Sequence, residues 1–200
     1  MQAVTDATPY GETIFLTGPP LAGKTTTTML WAERRSRLTS PLDWDQLQKT
    51  LFGARLQDDP GQISNQYRFA ARVAAATAGQ IVATGADCVI AGARVPARPT
   101  DPPEWEGVWD DLDRLDPITI VLLPSLETRL ARWRLTGGRH PYSEAQVHES
   151  HGWAWRAWSD QPGATIVDTS AMRPNEVVDA VELAASMLSA RRAISNSGAR

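Results

Sequence analysis

Cysteine is nearly absent from this 200-residue chain. Cys88 stands alone, which excludes an internal disulfide and cannot by itself build a cysteine-ligated metal site. Such usage suits a reducing cytoplasm. Long apolar runs are missing too: none approaches the ~18 residues of a membrane span. The opening MQAVTDATPYGE lacks the basic-then-apolar pattern of a secretion signal. Charge is weak. With a net value of −3 the chain offers no global attraction for nucleic acid or acidic membrane, so any polyanion site must be local. Internal repeats are absent, and only the final SNSGAR reads as a loose tail. Phenylalanine and tyrosine are scarce at three each, whereas eight tryptophans are an unusual number that asks for a use. These bounds predict one soluble cytoplasmic domain over residues 1–192 and a flexible tail at 193–200, monomeric or homodimeric, with no membrane partner.

Against that background stands GPPLAGKTTTTML, residues 18–30. Its spacing matches G-x-x-x-x-G-K-[ST], in which a strand ends in a glycine-rich loop that opens a helix. Such a loop turns backbone N–H groups onto phosphate oxygens, and the helix N-terminus adds partial positive charge. The loop residues would be Gly18, Pro19, Pro20, Leu21, Ala22, Gly23, Lys24, Thr25 and Thr26. Lys24 would reach the β- and γ-phosphates, and the Thr25 hydroxyl would ligate Mg²⁺. The bare pattern arises by chance in about one chain of this size in a hundred. Here it has the right neighbours. Ile14, Phe15 and Leu16 form an apolar strand before it, and no Gly or Pro interrupts 26–35 after it.

The rest of the chain alternates short apolar runs with helical segments. Strands are expected at 13–17, ending at 40–42, at 87–91, 118–123 and 164–167. Helices are expected at 23–36, 44–52, 62–79, 104–115, 125–135, 143–158 and 174–190. On the long helix Ile63, Phe69, Ala70, Val73 and Ala74 fall near one face. That alternation predicts a parallel sheet covered on both faces, with ligands at the carboxyl ends of the strands.

The residues just past those ends are chemically complementary. Asp43 and Asp45 form an extended D-x-D whose carboxylates point to one side. One can serve Mg²⁺ through water while the other takes a proton from an attacking hydroxyl, although Asp43 also suits the cap of the next helix. Arg94 follows the third strand as an anion clamp or a plain surface arginine. Arg129, Arg132, Arg134 and Arg139 break the acidic balance locally, with Gly137 and Gly138 as a hinge. They fit a mobile lid or a solvated helix face. Arg68 and Arg72 share a helical face, open to an anionic substrate or to solvent. Glu144, His148 and His151 sit at helical spacing but lack the H-E-x-x-H order of a zinc site. Trp153, Trp155 and Trp158 cannot all share one stripe, so some of these rings must leave the main core for a packing seam or a binding wall.

The chain resembles small P-loop kinases, close in layout to shikimate kinase, gluconate kinase and chloramphenicol phosphotransferase. The likeness rests on Gly18–Thr25, on DWDQL at 43–47, on RWRLTGGRHP at 132–141 and on VDTS at 167–170. It implies an α/β P-loop NTPase fold, a three-layer α/β/α sandwich whose five-stranded parallel sheet runs 2-3-1-4-5 beneath a helical lid at about 132–152. It further implies ATP and Mg²⁺ as cofactors. Lys24, Asp45 and Arg139 would be catalytic, Arg132 would lie by the adenine, and Thr25 and Asp43 would hold the metal. Asp45, Arg94 and Arg68 would meet the acceptor. The third strand departs from many P-loop proteins, ending Ala91-Gly92-Ala93-Arg94 without an acid. The implied activity is transfer of the γ-phosphoryl group of ATP to a hydroxyl of a small molecule, nucleoside or nucleotide. The alternatives are an NTPase that gates a partner and a kinase of hydroxymethylated bases in DNA, which the acidic charge disfavours.

Overall fold

In the computed structural model the described residues are 11–35, 37–53, 60–92, 103–137, 141–159, 161 and 163–197. Strands β1 (Thr13–Thr17), β2 (Thr39–Asp43), β3 (Asp87–Ala91), β4 (Ile118–Leu122) and β5 (Ala164–Val167) form one parallel sheet in the order 2-3-1-4-5. The helices are α1 (Lys24–Arg34), α2 (Trp44–Phe52), α3 (Pro60–Ala83), α4 (Asp110–Asp113), α5 (Leu126–Leu135), α6 (Glu144–Trp158) and α7 (Pro174–Ser197). This is the predicted α/β architecture.

Period-two alternation along β1 divides the core. Ile14 and Leu16 face a cluster with Trp31 of α1 and Val178 and Val181 of α7. Phe15 faces the other way, against Ala70, Ala71, Ala74 and Ala78 of α3 and the ring of Trp44. All five β1 residues are buried, as a central parallel strand requires.

Three expectations change. The α3 face is made of alanines, which let the helix approach the sheet closely, while Phe69 turns out half-exposed toward Phe52, ring centroids 5.9 Å apart. Residues 104–115 are not one helix: a 3-10 turn at Pro103–Trp105 gives way to α4, because Gly107 takes φ 68° and breaks the run. Helices α3 and α7 run beyond the expected ends, to Ala83 and Ser197. Trp153, Trp155 and Trp158 do part company. Trp158 is buried against Val121 and Leu123 with Trp153 beside it, and Trp155 is 54% exposed.

Candidate functional site

The 2-3-1-4-5 order places β1 at the centre of the sheet, so the loop leaving its carboxyl end lies between the ends of β3 and β4. In that loop Gly18 takes φ 143°, and a Cβ there would lie 2.2 Å from the Leu122 carbonyl oxygen. Only glycine lets the chain pass so close to β4. Leu21 (φ 66°) and Gly23 (φ 97°) complete the curl, and the Thr27 N–H closes the first helical bond onto the Gly23 carbonyl. Helices α2, α5 and α6 are each capped by a side chain of their own, from Asp43, Ser125 and Ser143. Helix α1 has no side-chain cap and no acidic residue in its first turn. Its N-terminal donors and partial charge are thus directed to the loop's interior, where an anion fits. Lys24 Nζ donates to the carbonyls of Gly18 (2.9 Å) and Pro19 (3.0 Å), spanning the loop's mouth. Burial pulls its pKa down to about 8, opposed by Asp45, assisted by Arg129 and opposed more weakly by Asp43.

Asp43 does two things at once. Its Oδ1 accepts from the Gln46 N–H as the α2 cap, and its Oδ2 accepts from the Thr25 hydroxyl at 2.8 Å. Adjacent ligands of an octahedral Mg²⁺ at 2.0–2.1 Å stand about 2.9 Å apart, so this oxygen pair fits that ion. Among the described residues no cluster of three or more His, Cys, Asp or Glu could hold a metal, which leaves Glu144, His148 and His151 without that role.

Two cavities flank the loop. One of about 440 Å³ is lined by Lys24, Thr25, Trp44, Asp45, Lys49, Tyr67, Pro141 and Tyr142, with Pro20, Leu21, Gly23 and Thr26 from the loop. The Trp133 indole N–H donates to the Tyr142 carbonyl (2.7 Å), which ties Pro141 and Tyr142 to α5 at this rim. The other, about 310 Å³, is lined by Ala22, Gly23, Thr26, Thr27, Arg132, Met172, Pro174 and Val177. Arg132 donates to the carbonyls of Leu21 (2.9 Å), Ala22 (3.1 Å) and Thr169 (3.3 Å), holding the glycine-rich loop to the loop after β5. Burial lowers its pKa. That second loop is closed by Asp168, which accepts from the N–H and hydroxyl of Ser170, while Ser170 Oγ accepts from the Ser125 N–H.

The structure therefore brings together Lys24, Thr25, Asp43, Asp45 and Arg132 around one loop. Arg68 is not among the residues lining either cavity; it donates to the carbonyls of Glu106 (2.8 Å) and Glu104 (3.4 Å). Arg94 and Arg139 lie outside the described residues. The motif reading missed Arg129 as a site residue. This side chain is fully buried, donates to the Pro20 carbonyl (2.9 Å), the Val147 carbonyl (3.0 Å) and Ser150 Oγ (2.7 Å), and has its pKa drawn down to about 10 by burial. Trp44, Tyr67 and Tyr142, which line the larger cavity, were missed as well; their only sequence trace was Trp44 inside the D-x-D.

No protein-family model matches the chain, and no curated protein sequence matches it significantly. Solved structures do. Shikimate kinase from Acinetobacter baumannii, in complex with shikimate, superposes with a TM-score of 0.61 at 16% identity, covering 86% of this chain and 92% of that one. A gluconokinase from Sinorhizobium meliloti 1021 gives 0.60 at 16%, covering 94% and 98%. The chain has the P-loop kinase fold. The tunicamycin resistance protein of Deinococcus radiodurans shares it, with a TM-score of 0.61 at 15% identity over 89% of this chain and 95% of that one. No helix among the described residues is long and apolar enough to cross a membrane.

Proposed function

We propose that this P-loop-fold protein is an ATP-dependent kinase that transfers the γ-phosphoryl group to a hydroxyl of a small molecule, nucleoside or nucleotide. The observation that carries the reading is one cavity lined both by Lys24 of an uncapped phosphate loop and by Asp45. Lys24 faces the phosphates, and the carboxylate on the same cavity supplies a base for an incoming alcohol. In this reading the loop amides and Lys24 hold the β- and γ-phosphates, and Asp45 accepts the acceptor's hydroxyl proton. Arg132, Met172, Pro174 and Val177 enclose the adenine. Thr25 and Asp43 hold Mg²⁺, which when bound neutralises phosphate charge. Arg139 is assigned to the lid and Arg94 to the acceptor's edge, on sequence position alone. The gluconokinase and the shikimate kinase, sharing the fold, favour a small-molecule acceptor.

The test uses single substitutions with turnover measured beside calorimetric ATP binding. Lys24→Met should abolish turnover in a folded protein, since comparable electrostatic stabilisers contribute about 3–4 kcal/mol. Asp45→Asn should lose acceptor phosphorylation and keep Mg-ATP binding. Asp43→Asn preserves the α2 cap, because Asn caps as well as Asp, so its expected rise in Mg²⁺ requirement isolates the metal role. Undiminished turnover in the Lys24 variant refutes the proposal.

A further inference from the structure

Five consecutive carbonyls of the glycine-rich loop, from Gly18 to Ala22, each accept a hydrogen bond from a cationic side chain. Lys24 takes those of Gly18 and Pro19. Arg129 takes Pro20 through Nε, and Arg132 takes Leu21 and Ala22 through one terminal nitrogen. The two arginines stand three residues apart on α5, hence on one face of that helix. Between them they hold both peptide groups that flank Leu21, which sits at φ 66°. A bulky residue occupies that left-handed region only where its surroundings hold it there. In a trans peptide, a carbonyl so held turns the N–H of its own peptide the opposite way. The Ala22 N–H closes a turn on the Pro19 carbonyl at 3.2 Å, and the N–H groups of Leu21 and Gly23 are turned away from the arginines. That is the backbone form in which a concave loop offers donors to an anion.

Arg132 has a second attachment. Its other terminal nitrogen donates to the Thr169 carbonyl (3.3 Å) in the loop after β5. That loop is braced against the start of α5: Ser170 Oγ accepts from the Ser125 N–H (2.8 Å), and the Thr128 hydroxyl donates to the Ser170 carbonyl (3.2 Å). Arg132 therefore ties the glycine-rich loop to a firm wall. The same side chain, half-buried, lines the cavity of about 310 Å³ together with Ala22, Gly23, Met172 and Val177. One guanidinium is thus both a tie on the loop and a wall of the cavity. When the loop slackens, Arg132 leaves its carbonyls and the cavity loses that wall.

We infer that Arg132 is a positioning residue that couples the two halves of the nucleotide: a base in the smaller cavity and phosphates in the glycine-rich loop each tighten the other's binding through it. Strain at Leu21 opposes the fastened loop, so the free protein also samples a slack one. Base and phosphates both prefer the fastened form. Two ligands that prefer one state of a shared element bind cooperatively, and by the same factor in each direction. A base laid against the guanidinium also excludes water from it, which strengthens its bonds to the carbonyls. Stacking on the base would act on the base alone, and plain attraction to phosphate could come from any cation. The inference rests on the reading of this edge as a nucleotide site and adds how base and phosphates communicate within it.

The experiment is titration calorimetry on the full chain with Mg-ATP, then with adenosine and Mg-pyrophosphate, two pieces of ATP that leave room for each other. Wild type should bind Mg-pyrophosphate about fivefold tighter or more when saturated with adenosine, and adenosine tighter by the same factor when saturated with Mg-pyrophosphate. In Arg132→Met both ratios should fall to about one. Arg132→Lys keeps the charge but cannot fork to carbonyls in two directions, so it should not restore them. Thermal unfolding of each variant is recorded alongside, because a merely structural arginine would lower Tm and leave the ratios in place. A wild type that binds Mg-ATP with a ratio of about one overturns the inference while the nucleotide site stands. Ratios kept by Arg132→Met, or restored by Arg132→Lys, overturn it too. Failure to bind Mg-ATP at all removes the nucleotide reading and this inference with it.

Discussion

Lys24 is a cation held where burial works against its charge, and this has a measurable consequence. Its pKa near 8 in the free protein lies well under the usual value for lysine. A triphosphate arriving at the loop adds negative charge beside the ammonium and must raise that pKa. Between the two values the complex binds a proton that the free protein lacks, so binding takes up protons and affinity falls as pH climbs through about 8. Titration calorimetry at pH 8.5, in two buffers of different ionisation enthalpy, should show uptake of most of one proton by wild type and none by Lys24→Met. A wild-type protein that takes up no proton would mean that the phosphates do not meet this lysine. At this scale the sequence was most legible. Gly18, Gly23, Lys24, Thr25 and Asp43 are fixed by spacing along the chain, and spacing is what a sequence displays. Trp44 and Tyr67 lie on different helices, and nothing in either segment announces that their rings converge.

Among the elements, one side chain of α5 ties both α6 and the glycine-rich loop to that helix. Arg129 stands on α5, reaches the Pro20 carbonyl with Nε and holds α6 at Val147 and Ser150 with its two terminal nitrogens. No carboxylate among the described residues pairs with it, so its charge is stabilised by oriented carbonyls and a hydroxyl alone. A planar fork can satisfy three acceptors in three directions; an ammonium at the end of a lysine stem cannot. Arg129→Met should strand those acceptors at a cost of about 2–4 kcal/mol, which in a domain this size is a fall in Tm of roughly 5–15 °C. ATP affinity should drop about tenfold as the Pro20 turn loosens. Arg129→Lys should recover little of either quantity in paired calorimetry and binding measurements. A lysine variant equal to wild type would show that charge alone matters here. Sequence reasoning saw an arginine-rich helix and weighed a lid against a solvated face; neither describes a guanidinium with 0% exposure. Helical periodicity separates faces by polarity, and a buried arginine is invisible to it.

For the molecule as a whole, the two ends of the sheet carry different duties. The glycine-rich loop, Asp43–Asp45, Gly92, Ser125 and Asp168–Ser170 all lie at or just past carboxyl ends of strands. Strand spacing and apolar runs predicted the parallel sheet and hence this edge, whereas the 2-3-1-4-5 order came from resemblance, because periodicity carries no information on which strands are neighbours. The opposite end is knitted by charge. Asp87, fully buried at the start of β3, accepts from Arg35 (2.6 Å) and from the Glu12 N–H (2.9 Å), with Arg37 Nε at 3.4 Å. Arg35 also reaches Glu182 of α7 at 3.7 Å, so one carboxylate gathers the chain before β1, the connection from α1 to β2, the start of β3 and, through Arg35, α7. Replacing it by Asn keeps the volume and removes the charge that Arg35 was brought in to meet. Breaking a buried pair from one side costs about 3–5 kcal/mol. Asp87→Asn should therefore lower Tm by roughly 6–20 °C. Below that transition its Mg-ATP affinity should stay within about twofold of wild type, because distant sites in one packed domain act nearly independently. Thermal unfolding with ATP titration at 15 °C checks both halves. A variant that loses ATP binding while still folded would show that the two ends of the sheet are coupled.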